Sequence, residues 1–110
     1  MKAVCFKNQK IFLTDTPMPV PSENEALVKI NLAGVCATDV ELLNGYHNFA
    51  GIPGHEFTGI VNYAPDQPDL DGRRVEADIN CGDGDCDICL TGALRHCSKR
   101  SGVGILGRKG

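Results

Sequence analysis

The chain is 110 residues long, the size of one domain. Eleven basic against fourteen acidic residues leave a net charge of −3, which argues against a nucleic-acid binder built on phosphate contacts. No apolar run reaches the ~18–20 residues of a membrane span, and Met1-Lys2-Ala3-Val4-Cys5-Phe6-Lys7 turns polar too soon for a secretory signal. A cytoplasmic protein with neither nucleic-acid nor membrane partners is expected.

The first third reads as strands. Met1–Lys7 and Lys10–Thr16 flank the polar pair Asn8-Gln9, which suits a tight turn, and Pro17, Pro19 and Pro21 then stiffen a connection that is no central strand. Ala26–Leu32 alternates, with Val28, Ile30 and Leu32 on one face. Cys36 to Gly45 reads as one short helix: Thr38 and Glu41 have the spacing of a capping box, and Gly45 suits the left-handed position after the last turn. Phe57–Tyr63 and Arg74–Asn80 are β-like again, around a loop with Pro65, Pro68 and Gly72. Thirteen glycines and six prolines imply many turns, and no βαβ rhythm is visible, so the expected fold is mostly β.

Cysteine usage narrows the chemistry. Four of the six cysteines, Cys81, Cys86, Cys89 and Cys97, crowd into a loop-rich lobe with one helical turn near Ile88–Leu90. Close C-x2-C spacing without a secretory context favours metal binding over disulfides. Cys86, Cys89 and Cys97 supply three thiolates, and a closed tetrahedral zinc site needs a fourth donor. Asp83 continues the spacing as D-x2-C-x2-C-x7-C, whereas Cys81 is the softer ligand two residues further back; spacing favours Asp83 and softness favours Cys81. We take Asp83, with Cys81 as the alternative, and leave His96 on the surface. Earlier in the chain, Cys36 and the pair His55-Glu56 flank the predicted helix. One thiolate, one imidazole and one carboxylate suit a zinc that keeps an exchangeable position.

Three motifs in order, Gly34-Val35-Cys36-Ala37-Thr38-Asp39, Pro53-Gly54-His55-Glu56-Phe57 and the cysteine lobe, resemble those of the zinc-dependent medium-chain dehydrogenases/reductases. The resemblance runs from Met1-Lys2-Ala3-Val4 through Gly72-Arg73-Arg74-Val75 to the lobe. It implies that residues 1–110 form the catalytic-domain portion, a GroES-like, partly open β-barrel with one or two short helices and a zinc lobe at about 81–97. It further implies that Cys36 and His55 ligate a catalytic zinc, that Glu56 is a near or alternating ligand, that Asp39 orients His55, and that Thr38 relays the alcohol proton. Glu41 stands where some relatives carry a histidine. Tyr46, His47 and Phe49 either shape the substrate pocket or simply pack the loop.

By the same resemblance, hydride passes between a small alcohol or carbonyl substrate and NAD or NADP. The nucleotide is held by a domain beyond residue 110, which also supplies the third ligand of the catalytic zinc, and the whole enzymes are homo-oligomers. Gly102-Val-Gly104-Ile-Leu-Gly107 matches G-x-G-x-x-G but lacks the flanking strand and helix and the acidic residue ~20 positions on, so no residue here is expected to bind the cofactor. The chain alone is expected to be inactive. The alternative is a stand-alone, zinc-stabilised β domain serving as a structural or binding module.

Overall fold

The computed structural model describes residues 1–110. Strands β1 (Lys2–Lys7) and β2 (Lys10–Asp15) form an antiparallel hairpin in which Lys7 faces Lys10, leaving Asn8 and Gln9 as the whole turn. Both turn residues are left-handed, with φ of 50° and 57°, the twist that a two-residue hairpin needs. The Gln9 amide then lies against Gly45 at the end of the helix. A Cβ there would sit 2.8 Å from Gln9 Nε2, and φ is +104°, so glycine answers both demands.

A second antiparallel sheet runs β3 (Leu27–Ala33), β4 (Phe57–Tyr63) and β5 (Arg74–Glu76). The third joins β6 (Asn80–Cys81), β7 (Ser101–Val103) and β8 (Gly107–Arg108), with β7 and β8 parallel. The fold is mostly β with two short helices, as expected, and the three sheets stay open rather than closing into a barrel. A paired bridge from Phe6 to Gly51 links the hairpin to the loop ahead of His55.

The structure departs from the sequence expectations in two strands. The predicted strand Arg74–Asn80 breaks because Asp78 Oδ1 accepts the Asn80 backbone N–H at 2.8 Å and its side-chain amide at 3.0 Å, a local turn that competes with the ladder. In β3 the register slips between Ile30 and Leu32, and the apolar face that alternation predicts is uncovered: Leu32 is 70% exposed. The core is correspondingly small, built on Ala3, Phe6, Leu42, Val61 and Ala64. The accessible surface is 7937 Å², against roughly 5,900 Å² for a compact monomer of this mass.

Helix α1 (Ala37–Leu43) buries Leu42 and is capped differently from the expected Thr38–Glu41 box. Cys36 is the N-cap: its Sγ accepts the Thr38 N–H at 3.3 Å, while Asp39 Oδ2 reaches back to the Cys36 N–H at 2.9 Å. The reciprocal pair begins the helix two residues earlier than the Thr-x-x-Glu pattern predicts. Helix α2 (Asp87–Leu90) is the turn expected in the lobe, with Cys86 as its N-cap.

Candidate metal centres and the cavity beside them

The lobe brings one donor atom each from Asp83, Cys86, Cys89 and Cys97 within 4.8 Å of one another. Local backbone geometry does most of this. Cys86 Sγ accepts the Cys89 N–H at 3.4 Å as α2 starts, and Cys97 Sγ accepts the Lys99 N–H at 3.3 Å. Asp83 Oδ1 accepts the N–H groups of Asp85 and Cys86, both at 3.1 Å, which leaves Oδ2 buried without a well-formed hydrogen bond. Gly82 lets the strands close over the cluster, since a Cβ there would lie 2.7 Å from Cys89 Sγ. Cys81 sits in β6 outside this group, and His96 is exposed on a single 3-10 turn.

Electrostatically the lobe concentrates acidic groups: one carboxyl and three thiols. The Cys86 N–H, the Cys89 thiol and the Asp85 N–H hold the Asp83 carboxyl far below the usual carboxylate range. Burial first, then neighbouring Cys86, Asp83 and Cys97, pushes the Cys89 thiol up to about 12. Cys97 is shifted down, chiefly by the backbone N–H groups of Asp83 and Lys99. The nearest fixed positive charge, Lys99 Nζ, stands 3.9 Å from Asp83 Oδ2 on a side chain that is 79% exposed. Three thiols and a buried carboxylate oxygen with no hydrogen-bond partner fit a dication, which would favour the thiolate form of Cys89 that burial disfavours. All six cysteines are free.

The second cluster is built from two elements. Cys36 stands at the start of α1, and His55 follows the turn at Pro53-Gly54, where Gly54 takes φ +120°. Gly104, in the turn after β7, packs on the Gly54 backbone so closely that any Cβ would collide with it. That contact fixes the loop carrying His55. Cys36 Sγ lies 3.0 Å from His55 Nε2, and Asp39 Oδ1 lies 3.7 Å from His55 Nδ1. Asp39 and His55 are 5% and 8% exposed, and those facing atoms have no hydrogen-bond partner. At 3.7 Å the contact is electrostatic rather than a hydrogen bond. A half-buried thiol, a buried imidazole and a buried carboxylate in this order are a donor set for a metal with its orienting neighbour.

Glu56 is not brought into that cluster. Its exposed carboxylate lines a cavity of about 310 Å³ beside His55, with Gly34 and Glu76. Thr38 instead lines a second cavity of about 280 Å³, together with Tyr46 and His47. Of the two readings of Phe49 the packing one holds: its ring meets Phe6 edge-on at 6.4 Å and packs the hairpin. Arg100, Asn80 and Ser101 also line the Thr38 cavity and had no signal in the sequence beyond their place near the lobe. The G-x-G-x-x-G match forms β7, a turn and β8, and opens no helix.

Residues 22–110 match the family model of the alcohol dehydrogenase GroES-like domain. The chain is 31% identical to L-galactonate-5-dehydrogenase of Escherichia coli K12 over 93% of its own length and 32% of that protein's. It superposes on the crystal structure of the alcohol dehydrogenase RspB of E. coli CFT073, solved with NADH, with a TM-score of 0.86 and 27% identity, covering 100% of this chain and 33% of the other. A zinc-binding dehydrogenase of Sinorhizobium meliloti 1021, solved with NADP, matches with a TM-score of 0.81 and 33% identity over 99% of this chain and 33% of its own. The chain thus spans about a third of the length of these relatives. No helix is long and apolar enough to cross a membrane. The motifs, the open β fold and the match over most of its length show that the chain belongs to the medium-chain alcohol dehydrogenase family, as a GroES-like domain.

Proposed function

We propose that this chain is the metal-holding catalytic-domain portion of a zinc-dependent oxidoreductase that oxidises a small alcohol, or reduces the carbonyl, with NAD or NADP. The observation that carries the proposal is the Cys36–His55–Asp39 line, a half-buried thiol against a buried imidazole and carboxylate, with Sγ and Nε2 3.0 Å apart and Asp39 behind Nδ1. A structural module needs only the lobe, and burying the Asp39 carboxylate and the His55 imidazole would cost it stability for no return.

The two donor sets support two zinc sites. Asp83, Cys86, Cys89 and Cys97 would hold a structural ion within the lobe at 81–97, and Cys36 and His55 would hold the catalytic one. Bound there, zinc supplies Lewis-acid polarisation of a substrate oxygen. The chain's own residues do the rest. Asp39 keeps the Nδ1 side of His55 facing a carboxylate, so that Nε2 is free to act as donor. The Thr38 hydroxyl both donates and accepts, so it moves the alcohol proton away from the reacting end. Glu56, at the lip beside His55, serves as a nearby carboxylate able to exchange with water. The nucleotide binds outside these residues, on a second domain; the large uncovered surface around Leu32 suits packing against such a neighbour or a further copy in a homo-oligomer. Free cysteines suit a cytoplasmic setting.

Cobalt(II) titration tests this. The lobe fills first; further cobalt then adds thiolate-to-cobalt absorption that Cys36→Ser and His55→Gln remove and Cys89→Ser leaves. A second phase indifferent to both substitutions, or no second phase, contradicts the catalytic site and favours the structural module. The pure 110-residue chain is expected not to reduce NAD or NADP with any alcohol, and NADH or NADPH formation by it would contradict the placement of the cofactor site elsewhere.

A further inference from the structure

The Thr38 cavity has a charge character that the dehydrogenase reading does not require. It measures about 280 Å³, the small end of ligand pockets. Thr38, Asn80, Arg100 and Ser101 line it with polar side chains, and Ile79 and Leu106 supply apolar wall. No carboxylate borders it, although the chain has fourteen acidic residues and a net charge of −3. The cavity beside His55 is the reverse, bordered by Glu56 and Glu76.

The guanidinium of Arg100 is held yet not neutralised. Arg100 Nη1 donates to the Arg95 carbonyl oxygen at 2.9 Å, which anchors the guanidinium and leaves its charge intact. Neither Arg100 nor His47 joins any of the five ion pairs in the chain. His47 lines the cavity from a left-handed backbone, φ +57°, uncommon for a residue other than glycine, and its ring lies 4.2 Å from that of Tyr46.

We propose that this cavity selects a small hydroxylated anion, with the reacting hydroxyl at the Thr38 end and a carboxylate or phosphate ester held by Arg100 and assisted by His47. The proposal rests on the dehydrogenase reading for which end reacts; the anion site itself rests on the cavity. A guanidinium presents paired N–H donors at the spacing of two anionic oxygens, so it discriminates an acid from the matching neutral polyol by a charge-assisted pair of hydrogen bonds.

The test uses the 15N-labelled, zinc-loaded chain titrated with gluconate, with glucitol 6-phosphate and with neutral glucitol. At least one anion is expected to shift the amide signals of Asn80, Ser101 and Gly102 saturably and roughly tenfold more tightly than glucitol; which anion binds tighter identifies the acid group. Arg100→Met should erase the preference with an unchanged thermal midpoint, and Arg100→Lys should retain part of it. Equal binding of glucitol and both anions, binding of neither anion, or an undiminished preference in Arg100→Met overturns the proposal. Failure here with the His55-dependent cobalt absorption intact removes the anion site alone. Anion binding without that absorption removes the dehydrogenase reading, and with it the substrate role of the site.

Discussion

Asp39 and His55 face each other in the protein interior, Oδ1 to Nδ1 at 3.7 Å, while the other oxygen of Asp39 accepts the Cys36 N–H at 2.9 Å. One carboxylate therefore starts helix α1 and stands behind the imidazole, so that the cap of the helix sets the distance between the two candidate ligands Cys36 and His55. Helix and site share a residue, and removing it affects both in separable ways.

Asp39→Asn keeps an oxygen for the Cys36 N–H and loses the charge behind His55. It is expected to fold with nearly the parent's stability and to weaken cobalt binding at Cys36 and His55 by about 10–100-fold. Asp39→Ala should lose the cap as well, at a cost of about 1 kcal/mol. Thermal unfolding and cobalt titration of the two variants separate the roles; equal cobalt affinity in Asp39→Asn and parent would contradict the orienting role.

Gly82→Ala places a methyl 2.7 Å from Cys89 Sγ, where the lobe closes. Overpacking of this kind costs about 1–3 kcal/mol, and here it displaces a ligand. The variant is expected to lose zinc from the lobe while the β3–β4 pairing persists. Metal content and amide exchange check this; a variant with full zinc and parental exchange would contradict the close approach.

A chelator should act on the lobe and spare the sheet. Residues 81–99 are organised around the donor cluster, whereas β3 and β4 pair from Leu27 to Ala33 with two register shifts, Val28–Ile30 lying between them in continuous register. Amide exchange with and without chelator is expected to show lost protection in the lobe and retained protection at Val28–Ile30. Uniform loss would mean that metal holds the entire domain.

Glu25 ties the connection before β3 to the last strand, since it accepts the backbone N–H and hydroxyl of Ser22 and pairs with Arg108. The Ser22 N–H foremost, then its hydroxyl and Arg108, holds the carboxyl below its ordinary value of 4.5. Because the folded value is the lower one, this contribution is complete above about pH 4.5 and disappears as pH falls through the lowered value. Protection of β8 should therefore drop on acidification below about pH 4.5, and Glu25→Gln should remove that step. A step at neutral pH, or one unchanged in the variant, would contradict the assignment.

What was legible in the sequence was what lies close together along it. The D-x2-C-x2-C-x7-C ladder can be read directly because a turn and a short helix bring its donors together over fifteen residues. Cys36 and His55, nineteen residues apart, have no such local logic: their donor chemistry suggests a metal site, and family resemblance is needed to pair them. The helix cap was misplaced because Thr38 and Glu41 satisfy the usual pattern, while cysteine is an unusual cap that works here because Asp39 reaches back to it. Long-range packing left no mark: nothing in the sequence says that Gly104 presses on Gly54, that Phe49 packs on Phe6, or that Arg100 reaches the cavity of Thr38. The alternation in β3 was real, yet alternation identifies an apolar face without saying what covers it.

The most direct test of the account is the zinc content of the chain purified without added metal. About one ion per chain is expected, held by the closed four-donor lobe, lost in Cys89→Ser and kept in His55→Gln, because Cys36 and His55 alone make an open and weaker site. No zinc in the parent, with Cys86 and Cys97 recovered as a disulfide, would contradict the metal reading at its strongest point.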